Sequence, residues 1–178
     1  PIDYERYQAC IPIPYFNIGS GNFWWEATGW ISQKPHTLSM QTGLPLTSAM
    51  LTRTSLGQTL NQLQLVTEPY RQPKIFDDLP NDKPFLLFWD NVRVHEHGEQ
   101  FLHLNQEATL LYENDWLHLY ELPLESFTKR LSNKIEAVKA ALDTLPIHHD
   151  DWQSNDTLAQ WYYDDFKDQP ADGPYFGA

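Results

Sequence analysis

The chain has 178 residues, the size of one domain, and 41% of them are apolar, so a full hydrophobic core is available and the disordered class is excluded. Twelve basic residues against 24 acidic ones give a net charge of −12, which repels phosphate backbones and excludes nucleic acid as a partner. The single cysteine, Cys10, excludes an internal disulfide and a thiolate zinc site, and its apolar neighbours predict a buried small hydrophobe.

The first predicted element is a strand. Residues 7–18 are nearly all apolar, the pattern of a strand that is buried on both faces. Pro12 and Pro14 lie within it, and each removes a ladder donor. We therefore expect this strand at the edge of a sheet.

Helical patterns follow. Residues 37–53 are helix-compatible but are interrupted by a glycine and by Pro45, which predicts a short helix, a break, and a second short helix that opens at Pro45. Ser55 and Gln58 fit a capping box, and the leucines behind them recur at helical spacing. This helix should end near Glu68.

The middle of the chain predicts three strands and a short helix. Residues 84–89 form an apolar run typical of a buried parallel strand. Residues 98–106 fit a short helix with Phe101 and Leu104 facing inward. Residues 109–112 and 116–122 predict two strands joined by a tight turn.

Residues 124–145 predict a long amphipathic helix that packs on the sheet. Its apolar stripe consists of Phe127, Leu131, Ile135, Val138, Leu142 and Leu145. The order of elements predicts an α/β fold: a small three-layer sheet with helices on both faces, over residues 1–145. Residues 146–178 change composition and predict a linker that leads into a truncated following module, with a β-sandwich as the candidate.

The turn Gly19-Ser20-Gly21-Asn22 follows the first strand, as phosphate loops do, so its N–H groups could hold an anion. It lacks the third glycine of dinucleotide loops and the Gly-Lys-Ser/Thr ending of nucleotide loops. A chain reversal with positive φ at a glycine is the favoured interpretation.

Histidines offer a weak metal signal. His95, His97 and Glu99 would share one face of an extended chain, and His148 and His149 precede two aspartates. Neither group matches a zinc template. We expect no metal and no cofactor, and a polar loop around residue 98.

The segments "YQACIPIPYFNIGSGN" (7–22), "TGLPLTSAMLTRTSLGQTL" (42–60) and "LLYENDWLHLYELPLESF" (110–127) resemble the extracytoplasmic part of large polytopic bacterial membrane proteins that are loosely similar to integral-membrane glycosyltransferases. The resemblance covers about residues 4–130. It implies an α/β domain that follows a multi-helix membrane region, with the catalytic acids in membrane-region loops outside this chain. That pattern often places an acidic residue after Gly-Ser, where this chain has Gly21.

The leading hypothesis is therefore a non-catalytic extracytoplasmic domain, tethered to the membrane and linked to cell-surface glycan or lipid-linked sugar metabolism. Its partners would be the remainder of its own membrane-spanning chain and a glycan or lipid-linked sugar. The sequence opens without Met, so we expect a piece of a longer protein. Two alternatives are a fragment of a carbohydrate-active hydrolase and a small nucleotide-binding domain.

The predicted ligand-binding surface is the rim at the end of the first strand, because loops at the carboxyl ends of strands are where α/β sheets bind ligands. The tryptophans there could stack on a sugar ring or a lipid or insert at a membrane interface, or could instead cover the open end of the sheet or contact a neighbouring domain. The residues of this rim are Asn17, Ser20, Asn22, Trp24 and Trp25.

Overall fold

A computed structural model describes residues 2–20, 23–25, 29–48, 50, 54–97 and 99–144. In these ranges the strands are β1 (Cys10–Ile13), β2 (Asn17–Ser20), β3 (Phe23–Trp25), β4 (Phe85–Asp90), β5 (Thr109–Glu113) and β6 (Leu117–Leu122). The helices are α1 (Gly29–Thr42), α2 (Leu56–Leu63), α3 (Asn91–His97) and α4 (Glu125–Thr144), and 3₁₀ segments occupy Tyr4–Arg6, Lys74–Asp78 and Glu99–Leu104.

The main sheet is mixed and open. Its four strands lie in the order β1-β4-β6-β5, with β1 parallel to β4 and the other neighbours antiparallel. One face carries the larger core, built on Ile11, Phe85 and Leu87, and the other carries a smaller core built on Cys10 and Phe88. Helices pack on both faces, which confirms the predicted α/β class.

The edge position predicted for β1 is confirmed. On the side away from β4, the Cys10 N–H donates to the Pro45 carbonyl over 2.8 Å, and the Thr47 N–H donates to the Cys10 carbonyl over 2.9 Å. Pro12, two residues further on, faces the same outer side. Its missing N–H therefore removes no bond to β4. Cys10 is fully buried, as predicted, and burial raises the pKa of its thiol.

The single strand predicted over residues 7–18 is two strands. β1 ends at Ile13, a cis Ile13–Pro14 bond follows, and β2 begins at Asn17. Tyr15 and Phe16, between them, are as buried as β1. The continuous apolar run therefore reflects continuous burial and not one continuous ladder.

Two helix predictions around residue 45 have different outcomes. The break at Gly43 is confirmed, since this residue ends α1 with φ +73° and its N–H donates to the Ser39 carbonyl over 2.8 Å. The second helix at Pro45 is wrong for the described residues there. Pro45 and Thr47 instead bond to the open side of β1, and this pairing holds the segment extended.

The capping box of α2 is confirmed. Gln58 N–H donates to Ser55 Oγ and Ser55 N–H donates to Gln58 Oε1, each over 3.2 Å. The helix ends at Leu63, earlier than predicted, and tightens into a turn in which the Val66 N–H donates to the Leu63 carbonyl over 3.0 Å. This turn buries Val66.

The long C-terminal helix is confirmed, but only its beginning packs as predicted. Phe127 is buried, whereas Ile135, Val138 and Leu142 on the same stripe are 44%, 47% and 55% exposed. α4 has 20 residues, about 30 Å at 1.5 Å per residue. β6 has 6 residues, about 20 Å. The helix is therefore longer than the strand that precedes it.

Residues 1–137 form one compact unit, and the last turns of α4 belong to a second unit, 138–178. The predicted linker and following module, 146–178, lie outside the described residues. Within the part of the chain that is described, no helix has both the length and the apolarity that crossing a bilayer requires.

Candidate functional site

Asn17, the first residue of the predicted rim, points inward. Its side chain is fully buried, and its Nδ2 donates to Gln62 Oε1 on α2 over 3.2 Å. The Oδ1 atom has no hydrogen-bond partner. Asn17 therefore joins β2 to α2, because β2 packs against that helix.

Ser20, Trp24 and Trp25 of the rim belong to a small separate sheet. β2 and β3 are antiparallel, with Ile18 opposite Trp24 and Ser20 opposite Phe23, so the chain reverses between them as predicted. A strand follows this turn, whereas a phosphate loop needs a helix N-terminus at that point. Asn22 and the side chains of Ser20, Trp24 and Trp25 lie outside the described residues, so their binding role stays a prediction.

An apolar groove of about 500 Å³ lies on the face of the main sheet that carries the smaller core. Leu38 of α1 and the N-terminal residues Ile2 and Tyr4 pack against this smaller core. We call this cavity the sheet groove. Its walls are Ile2, Tyr4, Leu38, Phe88, Leu111, Tyr112, Leu117 and Leu119.

A register shift brings two neighbouring residues of β5 into the sheet groove. Leu110 is opposite Tyr120 and Tyr112 is opposite Leu119, so Leu111 is an extra residue between two pairs. In a regular strand, neighbours point to opposite faces, but a bulge of this kind re-aims the extra side chain. Leu111 and Tyr112 consequently line the same cavity.

β5 is also an open edge. It pairs with β6 on one side, and no other described strand pairs with its second side. Every residue of the strand is exposed, including Leu110, Leu111 and Tyr112 at 45%, 36% and 47%. Natural edge strands usually carry charges or proline that prevent association, and the centre of β5 has neither.

Polar contacts fix the walls of the sheet groove. The Tyr7 hydroxyl donates to Glu121 Oε2 over 3.1 Å, and Arg6 lies 3.5 Å from the same oxygen, which ties the N-terminal segment to β6. Burial, and then Glu121, raise the pKa of Tyr7. On the opposite wall, Asn114 Nδ2 donates to the Tyr112 hydroxyl over 3.0 Å. The tyrosine is thereby held in place.

Acidic residues adjoin wall residues of the sheet groove in sequence. Asp3 and Glu5 alternate in sequence with the wall residues Ile2 and Tyr4, and both are exposed. Glu113 directly follows Tyr112 and is also exposed, but it is paired with His118, so its side chain lies on the other face of the sheet. The walls of the cavity are therefore apolar, and the acidic residues nearest to them in sequence are Asp3 and Glu5.

The carboxyl end of β4, where α/β sheets often bind ligands, serves the fold. Asp90 is 3% exposed, lies 2.7 Å from Lys34 Nζ, and accepts from the Val92 N–H at the start of α3 over 3.1 Å. Next to it, Asn91 Nδ2 lies 2.8 Å from His118 Nε2, and His118 Nδ1 lies 3.0 Å from the Tyr120 hydroxyl. These contacts connect α1, α3 and the β5–β6 hairpin.

The predicted histidine group does not lie on an extended chain. His95 and His97 belong to α3, a helix that replaces the predicted polar loop, and alternate residues of a helix do not share a face. Their side chains, and that of Glu99, lie outside the described residues, as do His148 and His149. No group of three metal-ligating side chains occurs within the described ranges.

A second histidine environment is partly buried. His103 Nδ1 lies 3.0 Å from the Gln100 carbonyl, while Arg130 is 8% exposed and its guanidinium lies 4.5 Å from the centre of the Phe127 ring. His103 Nε2 and Arg130 Nη2 are both buried without a partner. Burial, followed by the charge of Arg130, lowers the pKa of His103, and Glu68 opposes this shift. Burial also lowers the pKa of Arg130, to about 10.

This environment predicts a pH dependence of stability. The unfolded chain protonates His103 near its ordinary pKa of about 6.5, whereas the folded protein resists that proton. The unfolded state thus binds more protons below that pH, and the free energy of unfolding should fall as the pH drops from about 7 to 5. His103→Gln should reduce this dependence of the free energy of unfolding on pH, measured by urea unfolding at several pH values. His36→Gln, which replaces an exposed histidine, is the control. An unchanged pH dependence in His103→Gln would contradict the assignment.

Comparisons with protein-family models, with curated proteins and with solved structures find no match for this chain.

Proposed function

We propose that this chain is a non-catalytic docking domain that binds an extended, apolar segment with basic ends, supplied by a partner protein, along β5 and over the sheet groove. Following the resemblance, we place it in the extracytoplasmic part of a bacterial membrane protein of cell-surface glycan or lipid-linked sugar metabolism. The observation that carries the docking proposal is the combination of an open strand edge with an apolar cavity beside it.

The open edge supplies the main-chain half of the interaction. An added strand would bond to the outward N–H and C=O groups of β5, and each such bond contributes about 0.5–1.5 kcal/mol. Strand addition of this kind obtains affinity from the backbone and specificity from pockets that accept alternate side chains. β5, with 5 residues, is long enough for a short peptide.

The sheet groove supplies the side-chain half. Leu111 and Tyr112 face it from β5, and Leu117 and Leu119 continue it over β6. An alternating segment paired with β5 would send every second side chain toward this apolar floor. Burying one aliphatic side chain there would contribute about 1.5–3 kcal/mol.

Charge favours a basic partner over a second copy. The chain carries a net charge of −12, so a segment with lysine or arginine at its ends is complementary to it. A second copy brings the same net charge of −12. Repulsion between the copies would therefore oppose their association.

The proposal is tested with synthetic nine-residue peptides in calorimetric titrations. The probe has seven alternating valines and threonines between two terminal lysines. One control has glutamates at both ends, and a second has proline at every second position, which removes ladder donors. The lysine peptide should bind at least tenfold more tightly than either control.

The location is tested by two matched variants of β5. Leu111→Ser should weaken binding of the lysine peptide at least tenfold, because Leu111 lines the sheet groove. Leu110→Ser, on the same strand but not in a wall of the groove, is the control and should change the affinity less than threefold. Equal losses of affinity in the two variants would contradict binding at the sheet groove. A concentration-dependent dimer that Leu111→Ser abolishes would instead identify a second copy of this chain as the occupant.

The membrane context has a separate test. The coding sequence upstream of this chain should encode several apolar helices. If it encodes none, the proposed context is wrong, while the peptide result stands or falls by itself.

A further inference from the structure

A second groove, of about 530 Å³, lies beside α2 on the opposite side of the main sheet, next to the larger core. One wall is formed by Leu60 and Asn61 of α2 and by Gln64, which directly follows that helix, and the other is the chain from Tyr70 to Lys74. Gln64 Oε1 accepts from the Lys74 N–H over 2.8 Å, which joins the two walls. We call this cavity the helix groove.

Two cations of the helix groove have no acidic partner. Arg71 and Lys74 line the cavity, and neither forms an ion pair with any residue in the described ranges. Glu68, the nearest acid before them in sequence, pairs with Lys134 over 3.2 Å instead. In a chain with twice as many acidic as basic residues, two unpaired cations in one cavity form a local site for an anion.

An aromatic ring and carboxamides accompany these cations. Tyr70 is 67% exposed although it is a large aromatic residue, and it lies next to Arg71. Asn61 and the Nε2 of Gln64 add hydrogen-bonding groups on the facing wall. A flat ring, an anion receptor and carboxamides in one cavity match a ligand that has a ring, a negative charge and hydroxyl groups.

We propose that the helix groove binds an anionic sugar, a pyranose that carries a carboxylate or a phosphate. The sugar ring lies against Tyr70, its anionic group is held by Arg71 and Lys74, and its hydroxyls bond to Asn61 and Gln64. The volume is in the range of sites for small ligands. This site shares no wall residue with the sheet groove, so the two proposals are independent.

Calorimetric titration with four probes tests the site: glucuronic acid, glucose 1-phosphate, glucose and inorganic phosphate. At least one anionic sugar should bind tenfold more tightly than both glucose and inorganic phosphate. Tighter binding of glucuronic acid identifies a carboxylate as the anion, since arginine pairs with it through two parallel bonds. Tighter binding of glucose 1-phosphate identifies a phosphate.

Three variants locate the binding. Tyr70→Ala and Arg71→Gln should each weaken binding of the anionic sugar at least fivefold. Both positions are exposed, so the fold is expected to persist. Lys83→Gln removes an exposed positive charge outside the helix groove and should change binding less than twofold. Equal binding of inorganic phosphate, failure of both anionic sugars to bind, or an equal loss in Lys83→Gln would each overturn the proposal.

Discussion

Phe127→Ala is expected to lower the free energy of unfolding by about 3–5 kcal/mol, the usual cost of truncating a buried phenylalanine. Its ring is 5% exposed and lies edge-on to Phe76 and Phe85, with ring centres 5.1 and 6.1 Å away. The guanidinium of Arg130 lies over the same ring. Alanine would therefore leave a cavity between α4 and β4 and would remove the aromatic contacts.

Ile135→Ala is the matched control, because Ile135 lies on the same apolar stripe of α4. Its side chain is 44% exposed, so its truncation should cost less than about 1 kcal/mol. Urea unfolding followed by circular dichroism measures both variants. Losses of similar size would mean that the stripe packs along its whole length, contrary to the structure.

Asp90→Ala should cost about 2–4 kcal/mol. The carboxylate is 3% exposed, pairs with Lys34 over 2.7 Å and caps the first turn of α3 through Val92. Removal of one partner of a buried pair is costly, and loss of an N-cap adds about 1 kcal/mol. Because the side chain of Lys34 is 41% exposed, water can solvate the remaining charge, which keeps the cost below that of a fully buried pair.

Asp90→Asn separates the two contributions. Asparagine keeps an oxygen that can cap α3 but loses the charge that pairs with Lys34. Its cost should be smaller than that of Asp90→Ala in the same urea unfolding experiment. A cost below about 1 kcal/mol for Asp90→Ala would contradict the structural role assigned to the carboxylate.

Elements with local signals could be predicted from the sequence. The capping box of Ser55 and Gln58 depends on residues three apart, and β4 is apolar at every position before Asp90. The glycine that ends α1 adopts positive φ, for which glycine is the usual residue. These signals need no knowledge of distant parts of the chain.

The failures come from partners that are distant in sequence. Pro45 is compatible with the first turn of a helix, but its carbonyl accepts a hydrogen bond from the N–H of Cys10, which lies 35 residues earlier on the free edge of β1. The stripe of α4 is helical as predicted, yet periodicity does not show how far a partner surface extends beneath it. The burial of Asn17 likewise depends on a distant contact, the packing of β2 on α2, which no local pattern shows.

The sheet groove was also beyond sequence reasoning. It requires that β5 lies at the edge and that a bulge turns Leu111 toward Tyr112, and both features depend on pairing with β6. The available signal was the run Leu110-Leu111-Tyr112, three consecutive apolar residues in a predicted strand of only four residues. Such a run in a short strand points to a surface that another chain could cover.

Amide hydrogen exchange across β5, with and without the lysine-ended peptide, tests docking by strand addition most directly. We expect slower exchange at the β5 amides that face away from β6, with little change in α2 and α4. Exchange at β5 that is unchanged by saturating peptide, or protection confined to another part of the chain, would contradict the proposed function.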